Sequence, residues 1–157
     1  MYRDMGDLDR AMKLYKECTR LYARRSDISL ASIYQNIAII KAEQGRAAEA
    51  LKDYQTVLSI LNGTSDADDM SFADVFNNMG NAQRDLGKLE DALELYQKSL
   101  RLKQRYLGWE HSSVSTTFNN IGLMRLKQGR PTEAESCFLN ALDIDQRTVG
   151  VEHAVRL

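Results

Sequence analysis

Proline is almost absent from this chain of 157 residues, in which Pro131 is the single example. Together with only nine glycines, that scarcity argues against a low-complexity or linker-like polypeptide. Long apolar runs are also lacking, because none approaches the roughly 18 consecutive residues that predict a membrane helix. Charged residues interrupt the first ten positions, so no secretory signal pattern opens the sequence. We therefore expect no association with a membrane.

A strong charge of one sign and a cysteine framework are missing as well. The formal net charge is −1, which gives no reason to expect nucleic acid as a partner. The two cysteines, Cys18 and Cys137, lack the spacing of metal ligands. At helical positions they are expected to be partly or wholly buried free thiols, which behave as small apolar side chains. Free thiols favour a reducing compartment, and we expect a cytoplasmic protein.

What the chain does contain is a pattern that repeats at a step of 42 residues. Four columns share this step: Gly45, Gly87 and Gly129; Asn36, Asn78 and Asn120; Ala50, Ala92 and Ala134; and Tyr54, Tyr96 and Phe138. Gly6, Ala11 and Tyr15 continue three of the columns upstream at a 39-residue step. A fixed period in this range indicates a repeat architecture, in which each unit packs mainly against its neighbours.

Each repeat has the pattern of two helices joined by a tight turn. The apolar spacing predicts helices over residues 28–44, 47–61, 71–86, 89–107, 112–128 and 131–149. A glycine ends each first helix, and Pro131 suits the first turn of a second helix. We predict one continuous array: a partial repeat at 1–25, the second repeat at 28–62, the third at 69–107, the fourth at 112–149, and a linker with the start of a further repeat at 150–157. Within the partial repeat, Met1–Met5 is expected to be the end of a first helix that precedes Gly6.

These columns resemble the tetratricopeptide repeat family. Its helix–turn–helix motif has a small residue midway along the first helix, here Ala38, Gly80 and Gly122, and then the turn glycine, the alanine and the aromatic residue of the columns above. The resemblance spans essentially the whole chain. It implies an all-α fold, a right-handed superhelical solenoid of antiparallel helix pairs.

The length of the repeat resembles one subtype of the family. The step of 42 residues exceeds the usual period of about 34, and the extra residues form the linkers 107–111 and 149–153. Both linkers contain Gly-x-Glu-His, which is similar to the kinesin light chain and nephrocystin-3-like repeats. That subtype often has proline after the histidine, where this chain has Ser112 and Ala154.

The resemblance implies that a partner binds in the concave groove lined by the first helices. Mapped onto this sequence, the groove positions are Gln35, Asn36, Ile39, Asn77, Asn78, Asn81, Arg84, Asn119, Asn120, Leu123 and Lys127. An asparagine amide both donates and accepts, so it can hold the backbone of an extended peptide, while Ile39 and Leu123 would supply apolar pockets. Alternatively some of these asparagines, particularly the second of each pair, only bond a neighbouring helix.

Capture of a carboxylate is a lesser alternative. Arg84 and Lys127 could contribute to such a site, but Glu43, Asp74 and Asp85 lie nearby in the sequence. A clean positive pocket is therefore not expected.

The linkers raise three further questions. His111 and His153 are equivalent, which predicts a repeated structural role such as ordering the start of the next helix. Trp109 either anchors a partner or packs over adjacent helix ends. The Asp66, Asp68 and Asp69 cluster lacks the glycine and terminal glutamate of a calcium loop, so we expect a solvated loop with Asp69 or Ser71 as helix cap.

No motif of a catalytic, cofactor or metal site is present. The sequence therefore favours a non-catalytic scaffold or adaptor that binds a protein or peptide. Two alternatives remain: a structural spacer that self-associates through uncapped repeat ends, and a regulatory arm of a larger signalling or enzymatic protein.

Overall fold

The computed structural model describes residues 5–22, 28–65 and 67–155, with side chains for residues 6–21, 28–65 and 67–150. These residues form seven α-helices and no strand. In chain order the helices are α1 (Met5–Tyr22), α2 (Ile28–Glu43), α3 (Ala47–Asn62), α4 (Asp69–Asp85), α5 (Leu89–Leu107), α6 (Ser112–Lys127) and α7 (Pro131–Val155). The all-α class that the sequence predicted is confirmed.

Helices α2 to α6 lie within two residues of their predicted bounds, whereas α1 and α7 differ in how they meet a predicted turn and a predicted linker. Gly6 lies within α1 rather than between two helices. Residues 1–4, which were predicted to belong to a preceding helix, lie outside the described residues. α7 runs on to Val155, through the predicted linker 149–153. Gly108 breaks α5 with φ 83°, whereas Gly150 stays helical. After the break at Gly108 the chain begins α6, which packs against α5.

The chain divides into two compact units, Met1–Ser71 and Phe72–Leu157. The sequence predicted an uninterrupted array, and the division falls in the first turn of α4. The residues just before α4 form a polar connection without helix, which supplies little apolar surface for packing.

One apolar cluster of the first unit lies between α1 and α2. Leu8 and Met12 of α1 pack with Ile37 and Ile40 of α2, and all four are buried. The helix pair α2 and α3 is further joined by a half-buried ion pair between Lys41 and Asp53. These contacts bury the apolar helix faces that the periodicity of the sequence predicted.

The second unit is built around aromatic rings that rest on glycines. A Cβ atom added to Gly80 of α4 would lie 2.8 Å from Cε1 of Tyr96 on α5. At Gly122 of α6 the same atom would lie 2.7 Å from Cε1 of Phe138 on α7. Tyr96 is fully buried in the core cluster of α5 and α6. The small column therefore exists because the second helix presses an aromatic ring against the backbone of the first.

The tight turns share one geometry. Gly45, Gly87 and Gly129 have φ of 77°, 76° and 73°, a left-handed conformation that glycine adopts without strain. In the first of these turns, the N–H of Gly45 donates to the carbonyl of Ala42 and that of Arg46 donates to the carbonyl of Lys41. The other two turns repeat both bonds, which is the Schellman arrangement of a helix C-terminus.

In both repeats of the second unit, a buried serine hydroxyl bonds the two helices to each other. In the third repeat Ser99 Oγ of α5 donates to the carbonyl of Ala73 on α4, at 2.7 Å. In the fourth repeat Ser115 Oγ of α6 donates to the carbonyl of Ala141 on α7, at 3.1 Å. The positions are equivalent at the 42-residue step, but the donor has moved to the other helix.

Candidate functional site

All eleven predicted groove residues lie on first helices. α2 carries Gln35, Asn36 and Ile39; α4 carries Asn77, Asn78, Asn81 and Arg84; and α6 carries Asn119, Asn120, Leu123 and Lys127. Asn36, Leu123 and Lys127 are exposed, and the other eight are half-buried. The second unit thus contains eight of the eleven, on two helices of the same packed body.

The second asparagine of each pair projects away from the second helix. Gly80 and Gly122 face the rings of α5 and α7. Asn78 and Asn120 precede them by two residues, which places them about 200° around the helix. They are half-buried and make no side-chain hydrogen bond among the described residues. Their amides are therefore available to a ligand.

Asn77 presents a different environment. Its Oδ1 is buried and has no hydrogen-bond partner within the described residues. A buried acceptor without a partner is unfavourable by about 1–3 kcal/mol. A small rotation of the side chain that let this oxygen meet a donor would recover part of that free energy.

Asn81 is engaged within the protein. The hydroxyl of Tyr96 donates to Asn81 Oδ1 at 2.6 Å. Burial raises the pKa of Tyr96 to about 12, and the neighbouring Arg84 guanidinium opposes that rise. Arg84 also contacts Asp85, with 3.2 Å between the guanidinium and the carboxylate. Among the predicted groove residues, Asn81 is thus bonded to Tyr96 and Arg84 is paired with Asp85.

On α6 the corresponding surface is more open. Leu123 replaces Asn81 at the equivalent position and is 45% exposed. Lys127 is exposed and forms no ion pair with any described residue. An apolar side chain and a free ammonium group therefore flank the half-buried Asn119 and Asn120.

The acidic residues do not surround a positive pocket. Asp85 is paired with Arg84. Asp74 lies near the buried Lys103 and opposes the lowering of the Lys103 pKa that burial causes. Lys103 Nζ donates to Thr117 Oγ1 at 3.1 Å, in the interior of the second unit. Of the two cations predicted for a carboxylate site, Arg84 is therefore engaged with Asp85, whereas Lys127 forms no ion pair with a described residue.

The first linker supports the start of α6. His111 is the N-cap residue, and its Nδ1 accepts a hydrogen bond from the Ser113 N–H at 3.1 Å. This confirms the structural role predicted for His111. His153 falls within the range of α7 instead of a linker, and its side chain lies outside the described residues.

The N-cap residue of α4 is Asp68, one residue before the predicted Asp69. Asp68 Oδ1 accepts bonds from both the N–H and the hydroxyl of Ser71, each at 2.8 Å. These bonds lower the pKa of Asp68. Asp69 is the first residue of the helix, so the cap position belongs to Asp68, and Asp66 lies outside the described residues.

A cavity beside Trp109 was not predicted. It has a volume of about 160 Å³ and is lined by Trp109, Glu110, Phe118, Asn140, Asp143, Ile144 and Arg147. Trp109 is 66% exposed, which favours the partner-anchor hypothesis over packing against helix ends. The Arg147 guanidinium lies 2.9 Å from Glu110 and 3.2 Å from Asp143. The sequence singled out only Trp109 among these residues. The residues that α7 contributes to the cavity belong to no recognised motif.

Other kinds of site find little support. Across residues 5–22, 28–65 and 67–155, no three histidine, cysteine or carboxylate side chains come together as metal ligands would. The helices of these segments are also too short or too polar to span a bilayer. Cys18 and Cys137 are half-buried and unbridged, as predicted. Burial raises the pKa of Cys137.

Sequence profiles identify the family. A tetratricopeptide repeat profile matches residues 29–105 and again 71–147, and a second such profile matches residues 1–24. The chain belongs to the tetratricopeptide repeat family. Tetratricopeptide repeats generally mediate protein–protein interaction, and proteins built from them are typically scaffolds without catalytic activity. Among curated protein sequences none matches this chain.

Solved structures support the tetratricopeptide solenoid fold. BtubC (BKLC) from P. vanneervenii has a TM-score of 0.71 at 18% identity, over 92% of this chain and 57% of BtubC. The MamA RS-1 ArsTM double mutant has a TM-score of 0.70 at 15% identity, over 92% of this chain and 69% of MamA. The chain therefore spans little more than half the length of BtubC.

Proposed function

We propose that this tetratricopeptide repeat protein is a non-catalytic cytoplasmic adaptor that binds an extended peptide segment of a partner along its first helices. The observation that carries the proposal is the repeated pair of asparagines on α4 and α6, at equivalent positions one 42-residue step apart. Regularly spaced amides suit a ligand whose own donors and acceptors are regularly spaced, which is a peptide backbone.

The side chains around the pairs support a ligand with mixed chemistry. Leu123 offers apolar surface next to Asn119 and Asn120, and Lys127 offers an unpaired positive charge one turn further along α6. Asn77 has a buried oxygen without a donor, which a peptide N–H would satisfy after a modest side-chain rotation. We expect the ligand to be a peptide with an apolar residue and an acidic residue placed toward Lys127.

The test uses dodecapeptides selected from a random phage-displayed library on the wild-type chain. Their affinities are then measured by fluorescence anisotropy for a variant with Asn77, Asn78, Asn119 and Asn120 all changed to Ala. Loss of even two desolvated hydrogen bonds weakens binding by about 2 kcal/mol, or roughly 30-fold. A control variant, Gln55→Ala with Gln146→Ala, removes exposed amides from second helices and should bind as the wild type does.

Unchanged affinity in the folded quadruple variant contradicts the proposal. So does an equal loss in the control variant, because the asparagines would then have no special role. Far-UV circular dichroism of both variants establishes that each retains its helices.

Self-association is a second candidate, favoured by exposed leucines on α1. Leu14 and Leu21 are 65% and 70% exposed, and large apolar side chains left in solvent favour contacts with other proteins. Light scattering over a dilution series tests this candidate. A mass that stays monomeric at the highest concentration excludes it.

A further inference from the structure

The third repeat covers one of its aromatic rings with its own lysine. Lys98 Nζ of α5 lies 5.9 Å from the centroid of the Phe76 ring on α4, within the range of a cation–π contact. The same ammonium group is 2.8 Å from a carboxylate oxygen of Glu94. A ring face and a carboxylate together thus hold a cation on this surface.

The fourth repeat keeps the ring but lacks the lysine. Phe118 is equivalent to Phe76, whereas Asn140 takes the place of Lys98. Asn140 is too short to extend over the ring as lysine does. The cavity of about 160 Å³ beside Trp109 lies at this position, with Phe118 and Asn140 both in its wall.

Like the loss of the lysine, a second difference makes the fourth repeat less positive at this surface. Asp143 takes the place of the cation Arg101, and Trp109 takes the place of the small Ala67, so at these two positions the cavity gains an acidic group and a second ring. The carboxylates of Glu110 and Asp143 share the single Arg147 guanidinium, which leaves a formal charge of −1 around the cavity.

This face stays accessible when a further repeat follows. Arg101 and Arg105 of α5, equivalent to Asp143 and Arg147, are exposed although α6 and α7 come next in the same unit. The Lys98 side chain is 42% exposed. The side of the repeat on which the cavity opens is therefore not covered by the repeat that follows.

We propose that the cavity binds the ammonium group of a lysine side chain from a basic segment of a partner protein. The lysine would lie between Trp109 and Phe118 as Lys98 lies over Phe76, and the carboxylates would complement its charge. The cavity is smaller than the roughly 300 Å³ of typical small-molecule sites, which fits one side chain rather than a cofactor. This inference does not depend on peptide binding along the first helices.

The test follows the indole N–H resonance of Trp109, the only tryptophan in the chain, by NMR. The probes are two capped pentapeptides, Gly-Gly-Lys-Gly-Gly and the same peptide with norleucine in place of lysine. We expect a saturable shift with the lysine peptide and at least tenfold weaker binding of the norleucine peptide. High salt should reduce the difference, because it screens the carboxylates.

Two variants at exposed positions complete the design. Asn140→Lys restores the lysine of the third repeat, and it should weaken binding of the lysine peptide at least tenfold by occupying the cavity. Gln55→Lys adds the same charge on α3, outside the cavity, and should bind as the wild type does. The proposal is overturned by equal binding of the two peptides, by equal binding of the two variants, or by the absence of a saturable shift.

Discussion

Replacing Gly80 by alanine tests how the helix pairs are held together. The added methyl group would lie 2.8 Å and 2.9 Å from two carbons of the Tyr96 ring, closer than real Cβ contacts come. The ring has little freedom to move away, because Tyr96 is fully buried and its hydroxyl is bonded to Asn81 at 2.6 Å.

Two opposing terms determine the size of the effect. Overpacking a tight contact destabilises by about 1–3 kcal/mol. Alanine in a helix interior stabilises by about 1 kcal/mol relative to glycine. We therefore expect Gly80→Ala to lower the free energy of unfolding by about 1 kcal/mol, and to shift Tm downward by about 2–4 °C for a chain of this size.

Urea denaturation followed by far-UV circular dichroism measures the change. The matched control is Gly150→Ala, since a Cβ at this helical glycine meets no atom within 4 Å. It should leave stability unchanged or raise it by up to about 1 kcal/mol. Changing Tyr96 to Leu as well should remove most of the penalty at Gly80, which a double-mutant cycle detects.

A Gly80→Ala variant as stable as the wild type contradicts this expectation. So does a penalty that persists in full after the ring has been removed. Either result would mean that the small column does not serve the aromatic contact.

Three further predictions concern single polar groups, and each is checked by urea denaturation. Gln83→Met should stabilise by about 1 kcal/mol, because Gln83 Oε1 is buried without a partner among the described residues; a loss of stability contradicts this. Lys103→Met should stabilise by about 1 kcal/mol at neutral pH, since Thr117 still donates to Ser113. Burial lowers the pKa of Lys103 below 10.5, so the unfolded chain binds that proton more tightly and the advantage of Lys103→Met should shrink as pH rises toward 10.5. An advantage that is constant from pH 7 to pH 10.5 contradicts this. His111→Ala removes the N-cap bond and should destabilise by about 1 kcal/mol, and an unchanged midpoint would exclude the capping role.

The sequence predicted the helices and turns because their determinants are local. A glycine at φ near 75° has a strong local signature, and the periodic apolar residues define the buried faces. The 42-residue step also located the first-helix asparagines. These features need no knowledge of which side chains meet.

The sequence did not predict contacts that depend on the neighbouring helix. Lys103 is 4% exposed although lysine normally lies at the surface, because Thr117 and Asp74 offer polar partners from two other helices. Gly108 and Gly150 share the same linker motif, yet only Gly108 ends a helix. In each case the result depends on packing between segments distant in sequence.

Binding of a peptide by the first-helix asparagines should be visible in the side-chain amide resonances of the eight asparagines. A selected dodecapeptide is titrated into ¹⁵N-labelled protein, and single Asn→Ala variants assign the signals. We expect saturable shifts at Asn77, Asn78, Asn119 and Asn120, with Asn62 on α3 unchanged. A peptide that binds while all four of these amides stay unchanged contradicts the proposal.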